Sequence, residues 1–557
     1  MELNINNEDL SEDITLKALN KLNVYNEDLS EDITLSNNIY NNNKKNNDSN
    51  NKDVCVEIDS EKKKISNNHI KKYGGTGPSE PKFLPMLFTF VSVLFFTILN
   101  EYCATVMFSD LVIEFNKELT TIQWVSTAFI LVLAMGMVFS SFIAKHLYMR
   151  TIFFTAVISF VIGSLFCVFA KSFIVLLIGR IIQGIGTSLL MPQISSVVMI
   201  MAPVEKVGFY NGLSMLVIFT GSALGPPLSG LITKYLGWRY VFGVLIPIPT
   251  IGGIIGYWTV GNIVELDDTK LDILSVILAI LGFGGITYGF GNVGDYGFRS
   301  HYVVDPIIIG MASLIGFFLW ENICRNPIIS MKHMGTPDFI INILISVVDD
   351  FILIGWITIL PFIVQNSLGK NAFISGLVLL PGDLLNAIFS IVGGEIYDKS
   401  SFKYGPVGIF FILIGSLYFF ITFITDRASL LTIIIAYSVG NIGLSLVCSI
   451  YTTASLTCVP PQSAPHASAM YYSLFQFFSA LSSAIYIAIL NNVNSVSFNS
   501  SHDPLINGGS VCHSVSIGIC TVTFTISILW SIYYFKNHDN KGNLKEKKKS
   551  NKKIINI

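Results

Sequence analysis

The sequence predicts an all-α fold, a polytopic membrane protein of 14 transmembrane helices between two polar tails. Three observations predict it. Of 557 residues, 52% are hydrophobic and only 13% are charged, too apolar for an ordinary soluble chain of this size. The charges crowd the ends: residues 1–82 hold 15 of the 37 acids and 11 of the 35 bases, and residues 536–557 hold 2 acids and 8 bases. Between them lie fourteen apolar runs, each near the ~20 residues that an α-helix needs to cross a bilayer. The net charge of −2 averages these unlike parts and identifies no partner.

Residues 1–82 read as a disordered cytoplasmic tail. NEDLSEDITL occurs at 7–16 and again at 26–35, and 41–53 is an Asn-rich low-complexity tract. Such stretches bury too little apolar surface to offset the entropy of ordering. No cleavable signal peptide is expected, because the first apolar run begins near Phe83. The runs lie near 84–108, 122–144, 151–170, 174–200, 209–233, 240–262, 272–292, 304–322, 339–362, 373–396, 404–424, 429–452, 467–490 and 514–535. They lack the period-2 alternation of barrel strands, so they read as helices.

An even number of spans puts both tails on one side. Lys62–Lys64, Lys71, Lys72 and Lys82 precede the first span, and Lys545 and Lys547–Lys549 follow the last, which makes that side cytoplasmic. Residues 536–557 then form a basic cytoplasmic tail. Asn499-Ser500-Ser501, in the outer 491–513 loop, is a glycosylation sequon on an accessible face. The eight cysteines are scattered, with no CxxC and no Cys/His cluster, so neither a disulfide framework nor a metal site is expected.

The most informative stretch contains LLIGRIIQGIGTSLLMP (176–192), GSALGPPLSG (221–230) and LGWRYVFGVLIP (236–247). Gly184 and Gly186 remove side chains so that a neighbouring helix can come close. Gly221, Gly225, Pro226, Pro227 and Gly230 make a smooth helix with missing backbone donors. These runs resemble the major facilitator superfamily, and within it the fourteen-span drug:proton antiporters. Arg180-x-x-Gln183-Gly184-x-Gly186 is similar to that family's fourth-span basic motif. Gly221-x-x-x-Gly225-Pro226-x-x-x-Gly230 is similar to its fifth-span antiporter motif, departing at Ser229, where a second glycine is usual. LNE (99–101), IQW (122–124), LVLLPGDLLNAI (377–388) and HASA (466–469) resemble the lincomycin-resistance-like branch.

One family loop departs more widely. Where Gly-x-Leu-Ala-Asp-Arg-x-Gly-Arg-Arg is common, this chain has SFIAKHLYMR (141–150), with Lys145 in the acid's place and Tyr148 in the glycine's. The second-half counterpart is better kept, as Gly394-x-Ile396-Tyr397-Asp398-Lys399. The two loops occupy equivalent places if the seventh and eighth spans are an insertion. The expected organisation is therefore a six-helix half (83–262), two extra central spans (263–335) and a second six-helix half (336–535). Gating contacts on the cytoplasmic face are expected to rest on Asp398 more than on the first loop.

Five ionisable residues stand in otherwise apolar spans: Glu101, Arg180, Asp349, Asp350 and Asp383. A charge at mid-bilayer costs at least about 2.5–3.5 kcal/mol on insertion scales, so each calls for a partner or a role. Glu101 falls where the resembling family keeps an acidic motif, and reads as a proton site or a partly wet carboxylate near the outer interface. Arg180 cannot usefully lose its proton, so it either holds a carboxylate and its network or clamps loop carbonyls. Asp349 and Asp350 lie near the midplane, but neighbours on a helix point about 100° apart, so only one can squarely face a cavity. Asp383 follows Pro381-Gly382, a step that can open the helix toward water; its alternative is a carboxylate on a freed backbone donor. His466 reads as a cap or packing residue, while Gln476 and Trp124 are candidate substrate contacts.

There is no G-x-x-x-x-G-K-[ST] nucleotide motif, so no direct drive by ATP is expected. The expected function is secondary transport, not enzymatic catalysis. It would need no cofactor beyond a proton gradient, with export of small amphipathic or cationic compounds in exchange for protons as in multidrug resistance. The alternatives are a basic amino acid carrier and a non-transporting sensor. The expected partners are the lipid bilayer, a small-molecule substrate and protons, with no nucleic acid, in a monomer of the plasma membrane or, alternatively, the vacuolar membrane.

Overall fold

The computed structural model describes residues 82–557 apart from 118, 264–265, 267–271, 325–327, 329–333, 371, 426, 460–462, 497–503 and 556–557. The duplicated acidic segment, the Asn-rich tract and the sequon at Asn499 lie outside the described residues. Among the described residues all regular structure is helical.

The first apolar run is α1 (Phe83–Cys103), which continues through a 3-10 turn at Ala104–Met107 into α2 (Phe108–Phe115). Then come α3 (Leu119–His146), α4 (Met149–Val168), α5 (Phe173–Met201) and α6 (Val207–Leu236). The run expected at 240–262 is divided into α7 (Trp238–Val244) and α8 (Pro247–Thr259). Pro247 causes the break: it offers no N–H to the preceding turn, and its ring clashes with the carbonyl four residues back. Next are α9 (Ile273–Gly291), a short α10 (Val293–Tyr296) and α11 (His301–Ile323). The rest comprises α12 (Pro337–Asn366), α13 (Ala372–Ser400), α14 (Gly405–Ile424), α15 (Leu430–Thr457), α16 (Ala464–Val496) and α17 (Pro504–Ile555). The backbone of α17 runs as one helix through most of the basic segment expected as a tail.

Among the described residues, 13 helices are long and apolar enough to cross a membrane. The helix α16, at 33 residues, is also of ample length to cross a membrane. Outward-facing side chains on the other helices are large and apolar: Ile254 is 55% exposed, Trp258 66% and Leu529 62%. Such a surface suits lipid, not water.

In the first part of the chain α1 packs on α6 and α8, and α5 packs on α3 and α4. In the last part α12 packs on α15 and α16, and α14 on α15 and α17. Two seams join these groups: α13 lies along α6, and α16 lies along α3. The helices α9 and α11 pair with one another, and α9 touches α3 and α16 from outside. Small residues permit the tightest seam. A methyl group on Gly208 of α6 would collide with the Gly394 carbonyl of α13, and one on Gly394 with the Gly208 carbonyl.

Candidate functional site

A narrow cavity of about 30 Å³ lies where α1, α6, α12, α13 and α16 converge, with Met191 of α5 on its wall. That is room for roughly two water molecules. Helical periodicity explains which side chains reach it. On α1, Ile98, Glu101 and Tyr102 stand at i, i+3 and i+4, hence on one face. On α12 the same spacing brings in Asp350, Leu353, Ile354 and Ile357, and on α13 it brings in Asp383 and Asn386. Gln476 and Phe475 come from α16, and Ile218, Phe219 and Ser222 from α6.

Three of the five ionisable residues singled out in the sequence therefore share one small space. Asp350 accepts a hydrogen bond from Ser479 Oγ at 2.5 Å. Asp383 accepts one from Tyr437 Oη at 2.6 Å. Behind Tyr437 the network continues: Asn441 Nδ2 donates to the Tyr437 carbonyl (2.9 Å) and Asn386 Nδ2 to Asn441 Oδ1 (3.0 Å). Among the described residues no Lys or Arg lines the cavity, so its carboxylates call for balance by protons or by a cation that enters.

The helix α13 stays continuous through Pro381-Gly382 instead of opening there. Gly382 serves another purpose: a side chain there would collide with the ring of Tyr437, so glycine lets that phenol reach Asp383. Asp349, one position from Asp350, turns away from the cavity. It is 5% exposed and its Oδ1 has no hydrogen-bond partner among the described residues.

Arg180 is fully buried on α5 and does not line the cavity. Its Nε donates to the Val125 carbonyl at 3.0 Å, and its Nη1 donates to Asn100 Oδ1 (2.8 Å) and Gln183 Oε1 (3.0 Å). Gln183 in turn donates to Ser164 Oγ at 2.8 Å. The guanidinium also sits 4.3 Å above the ring of Phe129. Arg180 thus ties α1, α3, α4 and α5 together through neutral oxygens, and Asn100 places this clamp one residue from Glu101.

The small-residue motifs lie on helix seams. A methyl on Gly184 would stand 3.1 Å from the Phe129 carbonyl, and one on Gly186 2.6 Å from that of Ala156. Gly221 and Gly225 of α6 face α1, where a methyl on Gly225 would stand 2.8 Å from Tyr102 Cβ. Pro226 and Pro227 remain inside an unbroken α6. Polar contacts beside them join α6 to the end of α1: Cys103 Sγ meets the Gly225 carbonyl at 3.2 Å, and Ser229 Oγ, one residue before Gly230, donates to the Cys103 carbonyl at 2.7 Å. Asp398, near the end of α13, accepts from the backbone N–H groups of Gly208 (2.7 Å) and Phe209 (2.8 Å), the first turn of α6. A carboxylate on a helix N-terminus satisfies donors that the helix itself cannot. Lys399 instead pairs along its own helix with Glu395, at 3.8 Å.

Trp124 does not reach the cavity. It stands near the start of α3, its ring 5.7 Å from that of Tyr288 on α9. His466 is buried, with Nδ1 3.0 Å from the Ile328 carbonyl, which also accepts from Ser141 Oγ at 2.7 Å. Sequence reasoning missed Tyr437, Ser479, Asn386 and Tyr102. Asn386, a polar residue one helical turn from Asp383, carried a readable signal; Tyr437 and Ser479 are brought in only by tertiary packing.

The sequence profile of the Major Facilitator Superfamily matches residues 90–485. The lincomycin resistance protein LmrB of Listeria monocytogenes is 33% identical over 420 residues, 75% of this chain and 88% of the relative. LmrB of Bacillus subtilis is 30% identical over 414 residues, 73% of this chain and 86% of the relative. Among solved structures, the proton:xylose symporter XylE superposes with a TM-score of 0.57 at 14% identity, covering 82% of this chain and 95% of XylE, which is a likeness of fold alone. With its apolar helices and its seams of small residues, this chain belongs to the Major Facilitator Superfamily, as a multi-pass membrane transporter, not an enzyme, of the multidrug exporter kind.

Proposed function

We propose that the protein is a proton-coupled antiporter of the plasma membrane, exporting small amphipathic or cationic compounds. The observation that carries this reading is the convergence of Glu101, Asp350 and Asp383 on one cavity with no Lys or Arg among the described residues of its wall. The remaining wall is largely apolar, with Ile98, Met191, Phe219 and Phe475 beside the acids, as a lipophilic cation requires. Protons and cargo compete for the same carboxylates, and that competition together with alternating access is sufficient for coupling.

In this reading α16 also crosses the bilayer, giving fourteen spans: two six-helix halves with α9 and α11 inserted between them. The cytoplasmic side is where the two tails lie. At about 30 Å³ the cavity is far below the ~300 Å³ or more of a drug-sized site, so cargo can bind only when the surrounding helices part. Asp398 on the first turn of α6 closes the cytoplasmic end, and parting α6 from α13 opens it. Arg180 acts as a positioning residue, holding α1 so that Glu101 faces the cavity. The bacterial relatives, named for lincomycin resistance, support export over uptake.

The test is flux into inside-out proteoliposomes of a fluorescent lipophilic cation under an imposed pH gradient. Gradient-driven flux is expected for the wild type. It should fall at least tenfold when Glu101→Gln, Asp350→Asn and Asp383→Asn are combined. Flux that ignores the pH gradient would sink the proposal.

A further inference from the structure

A second hollow, of about 460 Å³, opens on the outer wall of the bundle between α4 and α8. Its lining is almost pure carbon: Phe154, Val157 and Val161 on one side, and Gly253, Ile254 and Tyr257 on the other. The two helices run antiparallel here, because Gly253 meets Val157 while Tyr257 lies with Phe154 and Arg150. From Phe154 to Ile162 the groove spans eight residues, or about 12 Å at 1.5 Å per residue. That approaches the ~15 Å depth of one bilayer leaflet. Gly253 makes the floor, since a methyl there would stand 3.1 Å from Val157 Cγ1.

One end of the groove carries a fixed cation. The guanidinium of Arg150 lies 4.4 Å above the ring of Tyr257 and 5.8 Å from that of Phe154. Its Nη2 donates to the Tyr257 carbonyl at 3.0 Å, which holds the head at the mouth of the groove. Tyr257 and Trp258 are both largely exposed there, as aromatic side chains are at the interface between lipid and water. Arg150 also closes a connection, Lys145-His146-Leu147-Tyr148-Met149-Arg150, with three basic residues and no acid.

We propose that this groove is a lipid site, holding one acyl chain of an anionic phospholipid whose headgroup phosphate meets Arg150. The apolar wall by itself selects nothing, because bulk lipid tails are as apolar as the groove. Selection therefore falls on the headgroup. A planar guanidinium matches a phosphate through paired donors, and a headgroup with net negative charge gains further from the basic connection. With the tails on the cytoplasmic side, Arg150 lies at the cytoplasmic leaflet, where anionic lipids are concentrated. The site stands apart from the central cavity and does not depend on what the protein transports.

The test is native mass spectrometry of the purified full-length protein in detergent, titrated with phosphatidylglycerol or with phosphatidylcholine. The wild type should prefer phosphatidylglycerol by about fivefold, the scale of one basic charge at an anionic surface. Arg150→Gln should remove that preference and Arg150→Lys should keep most of it. Thr250→Trp, which fills the far end of the groove from an exposed position, should weaken both lipids and leave their ratio unchanged. Millimolar inorganic phosphate should not displace the lipid; displacement would mean that a bare anion is the ligand. Equal binding of the two lipids by the wild type, or undiminished binding by Thr250→Trp, overturns the proposal even if Arg150→Gln fails to fold.

Discussion

Replacing Asp398 with Asn should open the cytoplasmic end of the transporter. Asp398 accepts two backbone hydrogen bonds from the first turn of α6, at 2.7 and 2.8 Å. A hydrogen bond to a charged group contributes about 1.5–3 kcal/mol, and the helix N-terminus adds about 0.3–1 kcal/mol. Asn keeps one acceptor oxygen but turns an NH₂ donor toward the other N–H and carries no charge. The site is only partly buried, so the loss is set at about 2 kcal/mol, the low end of those sums. Both bonds join α6 to α13 and break when the helices part, so the loss falls on the closed state alone. A 2 kcal/mol change is roughly a thirtyfold shift, which turns a tenfold preference for the closed state into about a threefold preference for the open one. Spin labels at the exposed positions Lys206 and Lys403, which flank this junction, report the two populations as a distance distribution. Asp398→Asn should move most of the distribution to the longer distance. A distribution unchanged within twofold, or one shifted toward closure, would refute the reasoning.

Other outcomes follow from the same contacts. Arg180→Lys keeps the charge but cannot reproduce the fork that meets Val125, Asn100 and Gln183 together; thermal unfolding in detergent should report a loss of about 2–3 kcal/mol, and flux should fall more than tenfold. Tyr437→Phe removes the donor to Asp383 while keeping the ring that Gly382 accommodates, so flux should change several-fold with little change in stability, about 0.6 kcal/mol. Outside the spans, Glu114 is held below the ordinary carboxylate range, first by its hydrogen bonds from Arg239 and further by Trp238 Nε1. Because that value is depressed in the folded state, its stabilisation is complete above about pH 4.5 and is lost as pH falls through the lower folded value. The pair is over a third exposed, so Glu114→Gln should cost no more than about 1 kcal/mol at pH 7 and nothing at strongly acid pH, as measured by thermal unfolding against pH.

What the sequence disclosed followed from cost. Carboxylates in apolar runs are conspicuous because hydrocarbon punishes them, so Glu101, Asp350 and Asp383 could be named before any contact was known. Helical geometry alone said that Asp349 and Asp350 must part, but not which of them faces inward; that depends on how α12 rotates against α15 and α16. Trp124 was a candidate as an aromatic able to line a pocket, yet its place near the start of α3 sets it against Tyr288 of α9. Tyr437 was illegible because it is 54 residues from Asp383 and ordinary in its own run. The break before Pro247 could have been read from proline's missing donor, since the apolar run continues without pause on either side of it.

The competition between protons and cargo for the cavity's carboxylates is tested most directly by proton release on binding. Purified protein in weakly buffered detergent solution, held near neutral pH with a pH indicator, is mixed with a lipophilic cation it binds. The account predicts release of about one proton or more per bound cation, abolished when Glu101→Gln, Asp350→Asn and Asp383→Asn are combined. Saturating binding with no proton released would contradict it.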